Sequence, residues 1–232
     1  MKRQALYFTA PYQVTIQEES LAMPGAGQIL VQSVLSAISP GTELLVYRGQ
    51  VPTDMAVDET IPALGGDFRF PLKYGYATVG RVVGLGPDVA SKWDGLEGRL
   101  VFAFQPHQSH FVTPPDAVLP LPAGISPQQA AFLPNMETAV NFLMDGQPLI
   151  GEQVVVVGQG IVGLLTTSLL ARFPVGRLLS LDRYAVRREH SLGLGAQLSV
   201  DPDAPDVMDQ LRGALQDGQL GQSARGADLT YE

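Results

Sequence analysis

The sequence predicts two domains of different class: a mostly β N-terminal domain closed into a small barrel, then an α/β domain built on a doubly wound parallel sheet. Three observations carry this. β-Branched runs separated by turn formers fill the chain as far as about residue 123. A helix signal interrupts them near residue 125, and beyond residue 151 strand and helix patterns alternate. At 232 residues the length suits two ordinary domains, and 45% apolar against 16% charged residues leaves enough apolar surface for a core in each.

In the first region, residues 1–125, the strand runs are "QVTIQE", "QILVQSVLSA", "ATVGRVVGLG" and "GRLVFAF". Turn formers punctuate them in "MPGAGQ", "SPGTE", "LGPDV" and "DGLEG". Within this region "TELLVYRG", from Thr42, fits a short helix after a turn. Residues 126–150 form a helical link. In "GISPQQAAFLPNMETAVNFLMD" Ser126 can cap, Pro127 fits the first turn and Gln129 completes a capping box. Residues 151–232 alternate: "QVVVVG", a helix from Gly160, "RLLSLD", a helix over "AVRREHSLG", "QLSVD", a helix over "VMDQLRGALQ", then "ADLTYE". Such βαβ alternation builds a parallel sheet.

Composition excludes several function classes. Fifteen basic residues against 23 acidic ones give a net charge of −8, which opposes contact with nucleic acid backbones. The absence of cysteine excludes disulfides, thiolate zinc ligands and a cysteine nucleophile. The N-terminal "MKRQALYFTAPYQVTIQEES" has no apolar run of signal-peptide length, and no apolar stretch approaches the ~18–20 residues that span a bilayer. A cytoplasmic protein with no membrane partner is expected.

The most specific stretch is "VVVVGQGIVG", four valines followed by Gly158, Gly160 and Gly163. After a strand and at the start of a helix, the first glycine can make a tight turn, the second can admit a pyrophosphate, and the third lets helix and strand pack closely. Ile161 and Val162, between the last two, open the helix, whose unpaired N–H groups and dipole favour phosphate. The next strand ends at Asp182, 19 residues past Gly163, where a carboxylate can accept both ribose hydroxyls of an adenosine half. That charge would repel a 2′-phosphate, which favours NAD. Arg183 beside it could bind the extra phosphate, so NADP remains open. The bland alternatives are a glycine turn that binds no nucleotide and a solvated turn acid.

With a β-rich first half, a helical link and this nucleotide fold, the chain resembles the medium-chain dehydrogenase/reductase superfamily, the zinc alcohol dehydrogenases and their zinc-free relatives. The resemblance rests on "LSAISPGTE", "KYGYATVGRVVGLG", "FLPNMETAV", "VVVVGQGIVG" and "LGLGAQLSV", and covers essentially the whole chain. It implies a GroES-like barrel followed by a Rossmann domain. Within the superfamily "SAISPGTELLVYRG" is most similar to the bacteriochlorophyllide hydroxyethyl dehydrogenase and threonine-dehydrogenase-like branch, which implies an alcohol on a large hydrophobic molecule. At the family's three catalytic zinc positions this chain has Pro40, Tyr76 and Pro134, and the cysteine-rich lobe of the structural zinc is absent. Proline and tyrosine do not replace thiolate and imidazole. The expectation is therefore a zinc-independent, NAD(P)-dependent oxidoreductase without a metal site. The alternative is a non-catalytic nucleotide-binding pseudoenzyme or an inactive fragment of a dehydrogenase.

Without zinc, another group must stabilise the charge that builds on a carbonyl oxygen during hydride transfer. The resemblance places the hydroxyls of Thr42 and Tyr76 at the active-site turn and at the lost histidine position, where they can donate to a developing oxyanion. Alternatively, an enone or quinone substrate spreads the charge itself, or Tyr76 simply packs on the barrel with its hydroxyl wet. Thr138 matches the threonine that contacts the nicotinamide, and could equally bond its own helix backbone. Glu43 and Glu137 are further acids available for proton handling. His107 and His110 in "QPHQSHF", and His190 in the second nucleotide-domain helix, lack a third ligand and read as loop and barrel-surface side chains. His107 keeps a second reading, a proton donor lining the cleft. Finally, "ADLTYE" is the fourth of the usual six strands. A chain truncated at its C-terminus is therefore expected, with a full-length parent, longer by about 100 residues, that is a homo-oligomer.

Overall fold

The computed structural model describes residues 1–57, 61–90, 93–216 and 226–232. The chain divides into two units, Met1–Leu133 and Pro134–Glu232.

The first unit is antiparallel. β1 (Lys2–Ala10) and β2 (Gln13–Ser20) form a hairpin with Leu6 opposite Ile16. β3 (Ile29–Ser36), β4 (Thr78–Leu85), β5 (Leu100–Ala103), β6 (His110–Thr113) and β7 (Leu119–Pro120) make a five-stranded sheet in the order β6-β3-β4-β5-β7. Isolated bridges Ala5–Gln108 and Phe8–Leu72 tie the hairpin to segments flanking the sheet. Two register shifts in β3, at Leu30/Val31 and Ser33/Leu35, mark bulges of the kind that bend a strand and re-aim its side chains. One core gathers Ile29, Val31, Val82, Val101 and Phe111; another gathers Phe8, Val46, Leu64, Phe68, Leu72 and Tyr74. Between β3 and β4 the turn "SPGT" leads into α1 (Thr42–Tyr47), the short helix the sequence predicts. The predicted capping box forms at α2 (Pro127–Ala130): the Gln129 N–H donates to Ser126 Oγ at 3.2 Å, and the Ser126 N–H donates to Gln129 Oε1 at 2.9 Å.

The second unit starts within α3 (Leu133–Gly146). It continues as β8 (Gln153–Val157), α4 (Ile161–Leu170), β9 (Arg177–Leu181), α5 (Ala185–Gly193), β10 (Leu198–Val200), α6 (Val207–Gln216) and β11 (Leu229–Tyr231). The strands are parallel in the order β10-β9-β8-β11. The chain thus lays down β8, β9 and β10 outward in one direction, then returns to place β11 on the other side of β8. That reversal creates a crevice at the carboxyl end of β8, where ligands of doubly wound sheets bind. Val154, Val156, Leu170, Leu178 and Leu143 form the core on one side of the sheet. The near-continuous burial of β8 explains its run of four valines: a central parallel strand is covered on both faces.

Among the described residues no helix is long and apolar enough to cross a membrane.

Candidate functional site

The crevice at the end of β8 is shaped by its glycines, each for a different reason. Gly158 has φ +83°, a conformation that costs a side-chain-bearing residue strain. At Gly163 an added Cβ would collide with the Gly158 carbonyl oxygen and lie 3.0 Å from its carbon, so only glycine lets α4 start this close to the turn. At Gly160 an added Cβ would meet nothing within 4 Å. Packing does not require glycine there, and the space left is what a pyrophosphate needs. Gly160 is also the N-cap of α4 and brings no side-chain cap, so the N–H groups of Ile161, Val162 and Gly163 face the crevice without a capping side chain.

Asp182, at the end of β9, is buried and closes the other side. Its Oδ2 accepts the Gln159 N–H at 2.7 Å and its Oδ1 accepts the Tyr184 N–H at 2.8 Å. Arg187 lies 3.5 Å from Oδ2. Burial alone would raise this carboxyl, but the two backbone donors and the Arg187 charge outweigh it and hold the group below the ordinary aspartate range. Asp182 is thus a fixed anion, pinned to the glycine turn itself. Arg183, by contrast, is exposed and its Nε sits 3.1 Å from Asp203, directed to a surface ion pair.

Two residues of this site escaped the sequence reading. The side chain of Gln159, at a variable position of the glycine turn, is fully buried: its Nε2 donates to the Val156 carbonyl at 3.2 Å, and its Oε1 accepts the Thr167 hydroxyl at 3.0 Å. It fastens the turn to α4 from within. Arg187 follows Asp182 by five residues, on the first turn of α5, a spacing that no motif singles out.

In the first unit the predicted residues lie on two adjoining segments. Thr42 is exposed at the start of α1, and Tyr76 is half-buried, edge-on to Tyr74 at 6.2 Å. The Ala37 N–H donates to the Ala77 carbonyl at 2.8 Å, joining the end of β3 to the Tyr76 segment. In the second unit Thr138 is exposed, and its hydroxyl donates to the Pro134 carbonyl one turn back at 3.0 Å.

The expectation of a surface histidine fails at position 107. His107 is 7% exposed, and its Nε2 is 2.7 Å from Glu43 Oε2, itself 3% exposed; its Nδ1 is 2.7 Å from Ser36 Oγ. The Ser39 N–H donates to the other Glu43 oxygen at 2.8 Å. Residues 36 and 43 bracket the "SPGT" turn, so one imidazole clasps that turn at both ends. Gly75, at φ +114°, passes so near that an added Cβ would lie 2.6 Å from Nε2. The reason the sequence hides this is separation: the partners lie 71 and 64 residues from His107. His110 is half-buried beside Ser109, and His190 is exposed. Among the described residues no three His, Cys, Asp or Glu side chains gather as a metal site requires.

No family model matches the chain. An L-galactonate-5-dehydrogenase of Escherichia coli K12 is 26% identical over 229 residues, covering 87% of this chain and 62% of that protein. A 2-desacetyl-2-hydroxyethyl bacteriochlorophyllide A dehydrogenase of Cereibacter sphaeroides is 35% identical over 88 residues, 38% of this chain and 24% of that protein. An alcohol dehydrogenase of Escherichia coli CFT073, solved with NADH, superposes with a TM-score of 0.73 at 20% identity, over 90% of this chain and 65% of that one. The chain is a distant homologue of these dehydrogenases and resembles the medium-chain dehydrogenase/reductase superfamily. Its architecture is that superfamily's GroES-like barrel followed by a partial Rossmann sheet. The chain spans less than two thirds of the length of the curated relatives it matches.

Proposed function

We propose that this chain is a zinc-independent oxidoreductase of the medium-chain dehydrogenase/reductase kind that uses NAD in preference to NADP and acts on an alcohol, carbonyl or enone/quinone substrate. The observation that carries the reading is the glycine turn, where an uncapped helix start and the room at Gly160 stand beside a fixed carboxylate at Asp182. A nicotinamide dinucleotide fits this cradle, and when bound it supplies the hydride acceptor or donor.

The roles of the chain's own residues follow. The N–H groups of Ile161, Val162 and Gly163 bind the pyrophosphate, helped by the helix dipole. Asp182 accepts the adenosine ribose hydroxyls with lone pairs not taken by Gln159 and Tyr184, and its charge disfavours a 2′-phosphate. Arg183, engaged by Asp203, does not offset that charge. Thr138 has a second lone pair on its hydroxyl with which to orient the nicotinamide. The residues at the family's zinc positions, Pro40, Tyr76 and Pro134, do not fit a zinc ion. Thr42 and Tyr76 instead donate hydrogen bonds to the substrate oxygen, a role worth most where water is excluded. The relatives named above are dehydrogenases, which supports alcohol oxidation as the reaction class.

The test is fluorescence titration with NADH and NADPH, followed by a spectrophotometric screen of alcohols, aldehydes and quinones. NADH binding more tightly is expected. Binding of neither cofactor overturns the reading, and tighter NADPH binding overturns the role given to Asp182.

A further inference from the structure

Two cations of the first unit share one carboxylate. Glu19 Oε2 accepts the Arg3 Nε–H at 2.9 Å, lies 2.7 Å from Arg3 Nη2 and accepts Lys73 Nζ at 3.2 Å, while the Tyr7 hydroxyl donates to Oε1. Glu19 is saturated by these four donors, and one positive charge stands uncompensated among side chains mostly withdrawn from water. The cations are not saturated in turn. Among the described residues Arg3 otherwise reaches only the His110 carbonyl, with Nη1 at 3.5 Å, and Lys73 lies 5.7 Å over the Tyr7 ring. A guanidinium with five N–H groups and an ammonium with three therefore keep donors to spare.

Both cations line a cleft of about 290 Å³, whose described walls also include Gln105 and Thr113 and hold no acidic side chain. Gln105 Oε1 accepts from Gln108 Nε2 at 2.9 Å, which leaves the Gln105 amide nitrogen as a further donor. Ala63, Gln105 and Thr113 line a second cleft as well, of about 360 Å³, where Ile61, Phe104, Pro114 and Leu119 supply apolar walls. A donor-rich cleft with surplus positive charge thus adjoins an apolar one.

We propose that these adjoining clefts bind a monocarboxylate with an apolar chain, its carboxylate held by Arg3, Lys73 and Gln105 and its chain laid along Ile61, Phe104 and Leu119. A surplus of one positive charge suits a carboxylate better than a phosphate dianion, and the planar guanidinium matches the two carboxylate oxygens. Asp116, on the wall of the second cleft, repels the reverse orientation. The site lies within the first unit alone and is independent of the cofactor reading, so a chain that binds no NADH leaves it untouched.

The test is isothermal titration calorimetry of the whole chain at pH 7 and low salt with octanoate, octanamide and acetate. Octanoate should bind once per chain. Octanamide, which keeps the chain without the charge, and acetate, which keeps the charge without the chain, should each bind at least about tenfold more weakly. Gln105→Glu locates the site, because glutamate still accepts the Gln108 amide proton and only the charge of the shared wall changes. Its melting temperature should match the parent's while octanoate binds at least about tenfold more weakly. Lys73→Met should weaken octanoate to a similar degree and leave octanamide unchanged. The proposal is overturned if octanoate does not bind, if octanamide or acetate binds as tightly as octanoate, or if a folded Gln105→Glu chain binds octanoate as the parent does.

Discussion

Paired alanine substitutions at Gly160 and Gly163 separate ligand space from packing within one turn. At Gly163 the new methyl would press on the Gly158 carbonyl, which is backbone and cannot rotate away. The start of α4 must back off from β8 by about 1 Å, an overpacking cost of about 1–3 kcal/mol. Taking about 2 kcal/mol, the melting temperature of a unit of this size falls by about 8–16 °C. At Gly160 the backbone, φ −69° and ψ −171°, suits any residue, and the methyl meets open space. Alanine is a poorer N-cap than glycine but restricts the unfolded chain, and these effects of a few tenths to 1 kcal/mol oppose each other. Gly160→Ala should therefore melt within about 3 °C of the parent yet bind NADH at least tenfold more weakly, about 1.4 kcal/mol. Thermal denaturation by circular dichroism and NADH fluorescence titration check both. A Gly160→Ala chain that binds NADH as the parent does would show that the pyrophosphate does not occupy this space. An unchanged melt for Gly163→Ala would refute the packing argument.

Asp182→Gly should narrow or reverse the preference for NAD, and should weaken both cofactors because the Gln159 and Tyr184 N–H groups lose their acceptor; the ratio of dissociation constants reads it. Elemental analysis after dialysis is expected to find no stoichiometric zinc, and one zinc per chain would return His107 and Glu43 to consideration as ligands. Burial works against the charge of Glu19, but Tyr7, Arg3 and Lys73 hydrogen-bond it and hold its carboxyl at about 2. Because this lies below the unfolded value, its stabilisation is complete above about pH 5 and is lost as the pH falls toward 2. Screened by solvent, the effect is about 1–2 kcal/mol, so Glu19→Gln should lower the melting temperature at pH 7 and narrow the gap to the parent near pH 2.

What the sequence revealed is what local rules determine. The alternation of β8 to β11 with α4 to α6 follows from periodicity, and the capping box at Ser126 follows from residues three apart. The glycine turn was legible because its demands are local: a positive φ at Gly158 and a helix packed on a carbonyl at Gly163. Gln159 was not, since a variable position in a turn motif gives no sign that its side chain turns inward to Thr167. Thr138 was legible only as a pair of alternatives, because a helix threonine with a free lone pair serves either.

His107 was misjudged because the partners that bury it are remote in sequence. Pro40 and Tyr76 sit on two backbone segments, the turn after β3 and the approach to β4. Both segments are fixed by ordinary bonds: Ala37 to Ala77 through the backbone, Ser36 and Glu43 to one imidazole, and Gly75 packed against that ring. A single buried imidazole with two hydrogen-bonded partners crosslinks the two ends of the turn after β3. Such a crosslink leaves no motif, because its three members come from the end of a strand, the first turn of a helix and a distant loop. It also explains the glycine at 75. Any side chain there would strike the ring that holds the turn.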